Sequence, residues 1–345
     1  MNKALRKKQR NQHKQNEVIT QESTGNDAQA FTFGGVEKVN NPAAYDDVEF
    51  DEAEGYYTLP IDPDELSNMM IANSYHGSLV EARARILSKD YIQNDIMTFT
   101  DMMNICKDLV GFGQACFQKF YNLFGVVVRI AHVPMLPIRK GKNNRFVRLN
   151  SDDTKTWFKK DEIFHIKLYD PKQNIYGLPD YLSGLQSALL SEDATKFRRR
   201  YYKNGAHLGF ILYTSDPNMT TGVEEELQKA LSSSRGHGNF KSLHLNIPNG
   251  GKDSVKLLPI GDTSTKDEFA SIKEVSSQDV MVAHRFPAGI SGINPSKGGN
   301  MGDPEKYSKT YYENEIRPLQ KLIMTVNDIL PKSKQIAFEN PLEEK

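Results

Sequence analysis

The residues best suited to chemistry in this sequence are a glycine–lysine run, eight histidines and two cysteines. Gly250-Gly251-Lys252-Asp253 is similar to the end of a phosphate-binding loop, in which glycine amides and a lysine hold phosphate. The pattern fails, because Asn246 stands where the first glycine is required and Asp253 where a hydroxyl residue is required. No HExxH, paired CxxC or GxSxG motif occurs, so the sequence indicates no recognised catalytic site, metal site or cofactor. An enzyme with another kind of site stays open as an alternative.

The histidines and cysteines favour structural roles. The histidines are scattered singly, and His165 alternates with Phe164 and Ile166 in a predicted strand. This setting favours a hydrogen-bonded strand histidine over a metal ligand. Cys106 and Cys116 are too few for a disulfide framework, so we predict two small core residues and a reducing compartment.

The charge balance argues against a tight grip on nucleic acid. Lys plus Arg and Asp plus Glu both number 44, which gives a formal net charge of zero. A protein that binds nucleic acid by neutralising phosphates usually carries a basic excess. Basic residues gather in the first fourteen positions and near 196–203, where a solvated arm and a favourable helix-end charge are preferred over DNA contacts.

Membrane and secretory segments are not predicted. The longest apolar run, 123–138, is interrupted by Arg129, His132, Pro134 and Pro137. The first residues are polar and lack the apolar core of a secretory signal.

The segment 287–302 is the most unusual in the chain. Its sixteen residues include five glycines and two prolines, which predicts a loop without regular structure. Loops of this length inside a compact domain are often functional, although a disordered surface loop is the alternative. A helix is predicted before it, over 266–286, and another after it, where Asp303 can cap and Pro304 suits the first turn.

The remaining sequence predicts a disordered tail followed by mixed helices and strands. Residues 1–62 are rich in charge and poor in large apolar side chains, so we expect them to be disordered. Pro318 predicts a kink near 314–318 in the last helix, because proline cannot donate a backbone hydrogen bond. The other predicted helices are 64–88, 100–109, one from about 178 to 204, and 221–233. The predicted strands are 115–121, 125–131, 146–149, 156–158, 163–166 and 208–213, with a hairpin of 240–247 and 254–260.

Several strings together resemble the portal proteins of tailed bacteriophages, specifically the PBSX type. They are Ile175-Tyr176-Gly177-Leu178-Pro179, the stretch from Phe197 to Leu212 that begins FRRRYYKNGAHLG, the stretch VMVAHRFPAGISGI from Val280 to Ile293, and Ile316-Arg317-Pro318-Leu319-Gln320. The resemblance extends from about Asp64 to Pro341.

The resemblance implies an α+β fold of the portal type. Such a subunit has a mixed α/β wing, two stem helices, a small α/β clip, a tunnel loop and a long kinked helix. The implied domains are a disordered tail (1–62), the wing (63–215), the stem helices with the clip (216–286, clip about 236–262), the tunnel loop (287–302) and the long helix with a short C-terminal segment (303–345).

The resemblance also implies a structural function rather than catalysis. Portal subunits form a closed homo-oligomeric ring of about twelve at one capsid vertex of the virion. Double-stranded DNA passes through the ring without sequence specificity, first during packaging by the terminase and later during ejection. Implied partners are the terminase, capsid and scaffold proteins, and head-completion or tail proteins, with assembly in the bacterial host cytoplasm. A nucleic-acid-processing enzyme, or another phage connector or scaffold, stays open as an alternative.

Three groups of residues are the predicted sites under this resemblance. The tunnel loop would face DNA, the clip would contact the terminase, and Pro318 would kink the last helix. The predicted channel residues are Gly289, Ile290, Gly292, Ile293, Asn294, Lys297, Gly298 and Asn300. The predicted terminase contacts are Arg235, Lys241, Asn249 and Lys252.

Overall fold

The structure is a computed structural model that describes residues 45–203, 210–214, 243–246, 255–259, 265–291 and 303–341. The chain divides into two compact units by its internal contacts. The larger is formed by Asn41–Lys203 and Asp262–Lys345, and the smaller includes Asn204–Gly261. The described residues combine helices with small sheets, which confirms the mixed α/β character that the sequence predicts.

Helices of the larger unit begin at residues that can cap a free helix end. Asp62, Thr98 and Asp303 each accept a hydrogen bond from a backbone amide in the first turn of the helix that follows. The helices are α1 (Pro63–Ala72), α2 (Ser74–Ser88), α3 (Phe99–Phe112), α4 (Leu185–Lys203), α5 (Thr265–Ala283), α6 (Ala288–Ser291), α7 (Pro304–Tyr311) and α8 (Arg317–Met324).

The prediction of one helix over 64–88 is wrong, because Asn73 separates α1 from α2. Its backbone is extended, with φ −103° and ψ 118°, and its side-chain oxygen accepts from the amides of Tyr75 at 3.0 Å and His76 at 2.9 Å. Its side-chain nitrogen donates to the carbonyl of Ala188 at 2.7 Å. One buried amide side chain therefore caps α2 and ties it to α4.

Strands of the larger unit form small antiparallel sheets. β1 (Phe50–Asp51) pairs with β2 (Tyr56–Tyr57), and β3 (Tyr91–Ile92) pairs with β13 (Ala337–Phe338). One three-stranded sheet has the order β5-β4-β9 and another the order β6-β7-β8. The members of these two sheets are β4 (Gln114–Tyr121), β5 (Val127–Val133), β6 (Ile138–Lys140), β7 (Phe146–Leu149), β8 (Lys155–Trp157) and β9 (Ile163–Lys167).

The main core lies between α3 and its neighbouring helices and strands. Ile105, Cys106 and Leu109 are fully buried, as is Phe117 on β4. The second cysteine, Cys116, is also fully buried, and burial raises the pKa of both thiols. The prediction that the cysteines are core residues is confirmed.

The predicted hairpin in the smaller unit is wrong. Its described strands are β10 (Phe210–Thr214), β11 (Leu243–Asn246) and β12 (Val255–Pro259), in the order β11-β10-β12. β10 pairs parallel with β11 and antiparallel with β12, so the two strands expected to pair are separated by β10. Turn residues indicate that the chain reverses direction locally. They do not indicate whether a third strand lies between the two strands that the turn connects. The predicted helix 221–233 lies outside the described residues.

Residues 45–61 already form defined contacts, so the boundary of the predicted tail at residue 62 is too late. Tyr45 donates a hydrogen bond to Asp170 at 2.8 Å, and Ile61 is buried. β1 and β2 also lie in this segment. The aromatic residues of this acidic stretch are sufficient to order it, because they pack on the rest of the folded unit. The rest of the predicted tail, 1–44, lies outside the described residues.

The last helix is interrupted at the place that Pro318 predicts. A π turn, Tyr312–Ile316, separates α7 from α8, and the Arg317 amide bonds to the carbonyl of Tyr312, five residues back. Pro318 sits in the first turn of α8, where its missing amide hydrogen costs least. The shifted hydrogen bonding explains how a proline is accommodated there, while a bend of the helix axis stays a prediction.

We expect the Asn73→Ala variant to lose about 2–3 kcal/mol of unfolding free energy. The substitution removes the cap of α2 and leaves the buried carbonyl of Ala188 without its donor. Urea unfolding followed by circular dichroism would measure the loss. Asp62→Ala, which removes only an exposed cap, is the matched control and should cost about 1 kcal/mol. Equal losses in both variants would contradict the tie between α2 and α4.

Candidate functional site

The structure describes only part of the predicted sites. Of the predicted channel residues, Gly289 and Ile290 lie in α6, so the start of the predicted tunnel loop is helical and the prediction of no regular structure is wrong there. Ile290 is half-buried and packs against the main core. Gly292, Ile293, Asn294, Lys297, Gly298 and Asn300 lie outside the described residues. The predicted clip residues Arg235, Lys241, Asn249 and Lys252 lie outside them as well.

The helix before the predicted tunnel loop ends in a strained turn. The amide of Phe286 bonds to the carbonyl of Met281, and the amide of Arg285 to that of Val282, at 2.9 Å each. These two bonds define a Schellman motif, whose left-handed position is usually glycine. Here it is Arg285, with φ 52°, a conformation that costs a residue with a side chain roughly 1–2 kcal/mol.

Ion pairs hold Arg285 in that conformation. Its guanidinium lies 3.2 Å from a carboxylate oxygen of Asp180 and 3.3 Å from one of Glu315. Asp180 precedes the turn that leads into α4, and Glu315 lies in the π turn. Arg285, whose left-handed backbone is unfavourable, therefore links the segment of Asp180 to the π turn of Glu315 at the base of the predicted loop.

A second arginine, Arg83 on α2, makes a buried bidentate pair with Asp180. The two nitrogen–oxygen distances are 2.9 and 2.8 Å, and the Arg83 side chain is only 2% exposed. Burial by itself lowers the pKa of Arg83, but hydrogen bonding and the charge of Asp180 outweigh it and raise that pKa above its ordinary value. Asp180 therefore pairs with two guanidinium groups, one from α2 and one from the turn that ends α5.

Two histidines extend this network into the core. Arg83 lies 3.3 Å from Nδ1 of His284, and Nε2 of His284 lies 2.9 Å from Nδ1 of His76. The guanidinium can only donate, so Nδ1 of His284 accepts and its Nε2 carries the hydrogen. His76 then accepts at Nδ1, and its own Nε2 is buried with no hydrogen-bond partner among the described residues. The geometry thus sets the tautomer of both rings.

The network requires both rings to be neutral. Burial lowers the pKa of His76 to about 4. Burial, then the charge of Arg83, then His76 lower the pKa of His284 to about 2. Tyr181 is fully buried and stacks on His284 at a ring-centroid distance of 4.9 Å. Its ring therefore shields one side of the two histidines from water.

Sequence reasoning missed this network, although one signal was present. Arg83 occupies a position of the apolar stripe of α2, between the buried residues Val80 and Leu87. A charged residue within such a stripe requires a buried partner, but its partner, Asp180, is 97 residues away. The predicted pairing of His165 is confirmed, since its Nε2 lies 2.9 Å from the side-chain oxygen of Gln114.

Within the described ranges, no cluster of three or more His, Cys, Asp or Glu side chains has an arrangement that could hold a metal ion. The helices of the same ranges are all too short or too polar to cross a membrane.

Comparison with known proteins identifies the family. The model of the phage portal protein family matches residues 92–326. The probable portal protein of Haemophilus phage HP1 (strain HP1c1) is 44% identical over 304 residues, which cover 86% of this chain and 88% of that protein. The probable portal protein of Escherichia phage P2 is 35% identical over 323 residues, covering 93% and 94%. The chain belongs to the phage portal protein family.

Solved structures show the same fold at low sequence identity. The neck of a native gene transfer agent particle, computed with C12 symmetry, contains a chain with a TM-score of 0.58 and 14% identity, covering 83% of this chain and 85% of its own. An HK97-family phage portal protein from Corynebacterium diphtheriae has a TM-score of 0.56 and 12% identity, covering 80% and 94%. The mixed α/β fold is therefore similar to that of HK97-family portal proteins.

Membership of this family establishes the function as that of a phage portal protein, with the DNA-packaging role of the family. Portal proteins are structural components of the particle rather than enzymes. The family match favours a portal protein over a nucleic-acid-processing enzyme and over another phage connector or scaffold. The Arg83–Asp180–His284 network is then a structural device of a portal subunit, placed at the base of its predicted tunnel loop.

We expect the Arg83→Met variant to lose about 3 kcal/mol of unfolding free energy, because it removes one side of a buried ion pair. The matched control is Arg85→Met on the same helix, whose side chain is 70% exposed and pairs with Glu81 at 3.3 Å. That control should change stability by less than about 0.5 kcal/mol. Urea unfolding measures both, and a loss below 1 kcal/mol for Arg83→Met would contradict the network.

The two neutral histidines predict a stability that falls in mild acid. Their folded-state pKa values lie below the ordinary value of 6.5, so the unfolded chain binds more protons as pH falls below it. Their contribution is fully present above pH 6.5 and is lost as pH falls towards the folded values. Urea unfolding between pH 7 and 5 should show a loss that tends towards about 1.4 kcal/mol per pH unit for each histidine.

His76→Gln tests this assignment, because the amide keeps a donor and an acceptor but does not titrate. Its stability should fall less steeply with acid, by about one proton in slope. An unchanged slope would show that His76 is not responsible, since His284 and His165, whose pKa burial lowers to about 3, remain in this variant.

Proposed function

We propose that this portal protein assembles into a closed ring of about twelve subunits at one capsid vertex, in the neck of the virion. Support comes from the similar chain in a particle neck that was computed with C12 symmetry. A cyclic ring needs a heterologous interface, in which two different surfaces of the subunit meet. Double-stranded DNA would pass through the ring without sequence specificity.

We assign the subunit to the PBSX type, with the wing at 63–215, stem helices and clip at 216–286, the tunnel loop at 287–302 and the long helix after it. The separate compact unit that includes Asn204–Gly261 supports a distinct clip-bearing module. The bounds of this unit differ from those of the proposed stem and clip, 216–286, because α5 packs on α4 and so belongs to the larger unit. Ser187 bonds to Asp279 at 3.0 Å, and a side chain at Gly184 would meet that of Ala283 at 2.4 Å.

The observation that carries the tunnel-loop proposal is that both ends of the loop are held. Its first end follows the ion-paired Arg285, and Phe286 beyond it is buried against Tyr311 at a ring distance of 5.2 Å. Its other end is the capped start of α7 at Asp303. A glycine-rich segment between two fixed ends can change conformation while the subunit around it keeps its shape.

Neutral charge suits the passage of DNA through such a ring. The chain carries 44 basic and 44 acidic residues. Each phosphate that a protein neutralises adds affinity that depends on salt, and a basic lining repeated around a ring would hold the DNA that must move. In the loop, Lys297 is the one basic residue, flanked by Ser296 and Gly298.

The remaining partners follow the family role. The clip, with Arg235, Lys241, Asn249 and Lys252, would contact the terminase during packaging. Capsid and scaffold proteins would surround the wing, and head-completion or tail proteins would follow when packaging ends. Assembly would take place in the cytoplasm of the bacterial host.

Deletion of Ser296–Gly299 tests the proposed function. Rings should persist in negative-stain images viewed down the axis, because the helices on both sides of the loop are untouched. Packaging of full-length DNA, or its retention in filled heads, should fall by about tenfold or more, as expected for loss of a working loop.

A four-residue deletion at 21–24, in the polar N-terminal segment, is the matched control and should package normally. If the variant with the loop deletion packages DNA normally, the loop does not take part in the work of the channel. A purified wild-type protein that forms no rings at any concentration would overturn the proposed assembly itself.

A further inference from the structure

The hairpin between β4 and β5 ends in an exposed apolar tip, formed by Tyr121, Leu123, Phe124 and Val126. Leu123 is 101% exposed and Phe124 is 89% exposed. Turn positions are normally taken by glycine, asparagine, aspartate, serine or proline, so two large apolar side chains at the centre of a turn are unusual. A surface that serves only to face water does not need them.

The tip is rigid rather than loose. The side-chain oxygen of Asn122 accepts from the amides of Phe124 and Val126, both at 3.0 Å, and its backbone amide donates to the carbonyl of Val126 at 2.9 Å. Gly125 has φ +73°, the left-handed position that closes the turn. The hydroxyl of Tyr121 donates to the carbonyl of Asp161 at 2.9 Å, which fixes the hairpin to its neighbour. These bonds fix the backbone of the turn that carries Leu123 and Phe124, which lowers the entropy cost of ordering the turn on binding.

A groove of about 570 Å³ with one apolar and one polar side lies beside the other end of the same sheet, next to Leu168, which follows β9. Its apolar wall includes Leu168, Tyr169, Leu178, Leu182, Pro318 and Leu319, and Tyr169 is 84% exposed. Asp180, Arg285 and Glu315 lie on its polar side, so the groove shares residues with the network described above. The volume is large enough to take in one or two side chains, with the apolar residues on one wall and the charged residues on the other.

The groove and the tip are attached to opposite ends of β4. At the first end, Gln114 pairs with Lys167, and the Leu168 amide donates to the carbonyl of Gly113 at 2.7 Å. The tip follows Tyr121, seven residues further, which at 3.4 Å per residue is about 24 Å away. A rigid tip at that distance cannot fill the groove of its own subunit, but it can fill that of another copy.

We propose that the hairpin tip of one subunit seats in the groove of the next, as a heterologous contact between copies of this chain. The inference rests on the proposed ring, because a tip and a groove at opposite ends of one strand give the head-to-tail pairing that a ring repeats. Phe124 is the central anchor, and the surrounding polar residues form the rim. Pro318 then has a second role, since it lines the groove as well as interrupting the last helix.

Cysteine cross-linking of the full chain tests the contact. Both native cysteines are fully buried, so engineered surface thiols react without background. A Phe124→Cys/Tyr169→Cys double variant, oxidised at the concentration where the wild type forms rings, should give a ladder of covalent oligomers on a non-reducing gel. Neither single variant should form covalent oligomers, and Phe124→Cys/Ile71→Cys is the matched control, since Ile71 is 82% exposed on α1 and outside the groove.

Removal of the apolar tip gives the second measurement. Leu123→Ser/Phe124→Ser should lower the ring population by about tenfold at the concentration where the wild type is half assembled, as expected for loss of an interface anchor. Its thermal unfolding as a monomer should be unchanged, because both side chains are exposed. Ile71→Ser is the control and should assemble like the wild type.

The outcomes separate the two proposals. Wild-type rings with no ladder, and with normal assembly of the serine variant, would overturn the tip–groove contact and leave the ring intact. Dimers of the Phe124→Cys single variant alone would indicate tip-to-tip pairing and would also overturn it. Absence of wild-type rings would overturn the proposed function, whatever the cross-linking shows.

Discussion

The buried pair of Arg83 and Asp180 is the interaction on which the base of the predicted tunnel loop depends. Removing a guanidinium and a carboxylate from water is costly, and good geometry with several hydrogen bonds offsets that cost. Asp180 pairs with two guanidinium groups, from α2 and from the end of α5, although Nε of Arg83 is buried without a hydrogen-bond partner among the described residues. A single carboxylate therefore determines how three segments meet.

The contribution of this network is geometric more than energetic. A buried ion pair often contributes no more stability than an apolar contact of the same size, but it accepts only one arrangement of its partners. Arg285 is an example, because its ion pairs with Asp180 and Glu315 keep its backbone in the unfavourable left-handed conformation. Neutral His284 and His76 extend this fixed arrangement into the core. Because Arg83 can only donate, it determines the tautomer of His284, which in turn determines that of His76. The chain therefore leaves α5 in a defined direction before the glycine-rich segment begins.

The rest of the larger unit places two unlike surfaces at the two ends of one strand. β4 begins beside the groove that Leu168 and Pro318 line, and it ends at the apolar turn of Leu123 and Phe124. A portal subunit needs such a polarity, because a ring repeats one unlike contact around its axis. The groove also borders Arg285 and Glu315, so contact with a neighbouring copy would lie next to the residues that hold the loop.

Local sequence determined the features that depend on near neighbours. The cap at Asp303, the interruption near Pro318, the burial of the two cysteines and the mixed α/β class were all predictable, as were the strings that indicate the portal family. Tertiary structure decided the break at Asn73, the entry of β10 between β11 and β12, and the partners of Arg83. The reason is distance along the chain: Asp180 lies 97 residues from Arg83, and His284 lies 208 residues from His76. Capping and periodicity act within a few residues, whereas a buried charge or a strand edge is satisfied by whichever distant group folding brings to it.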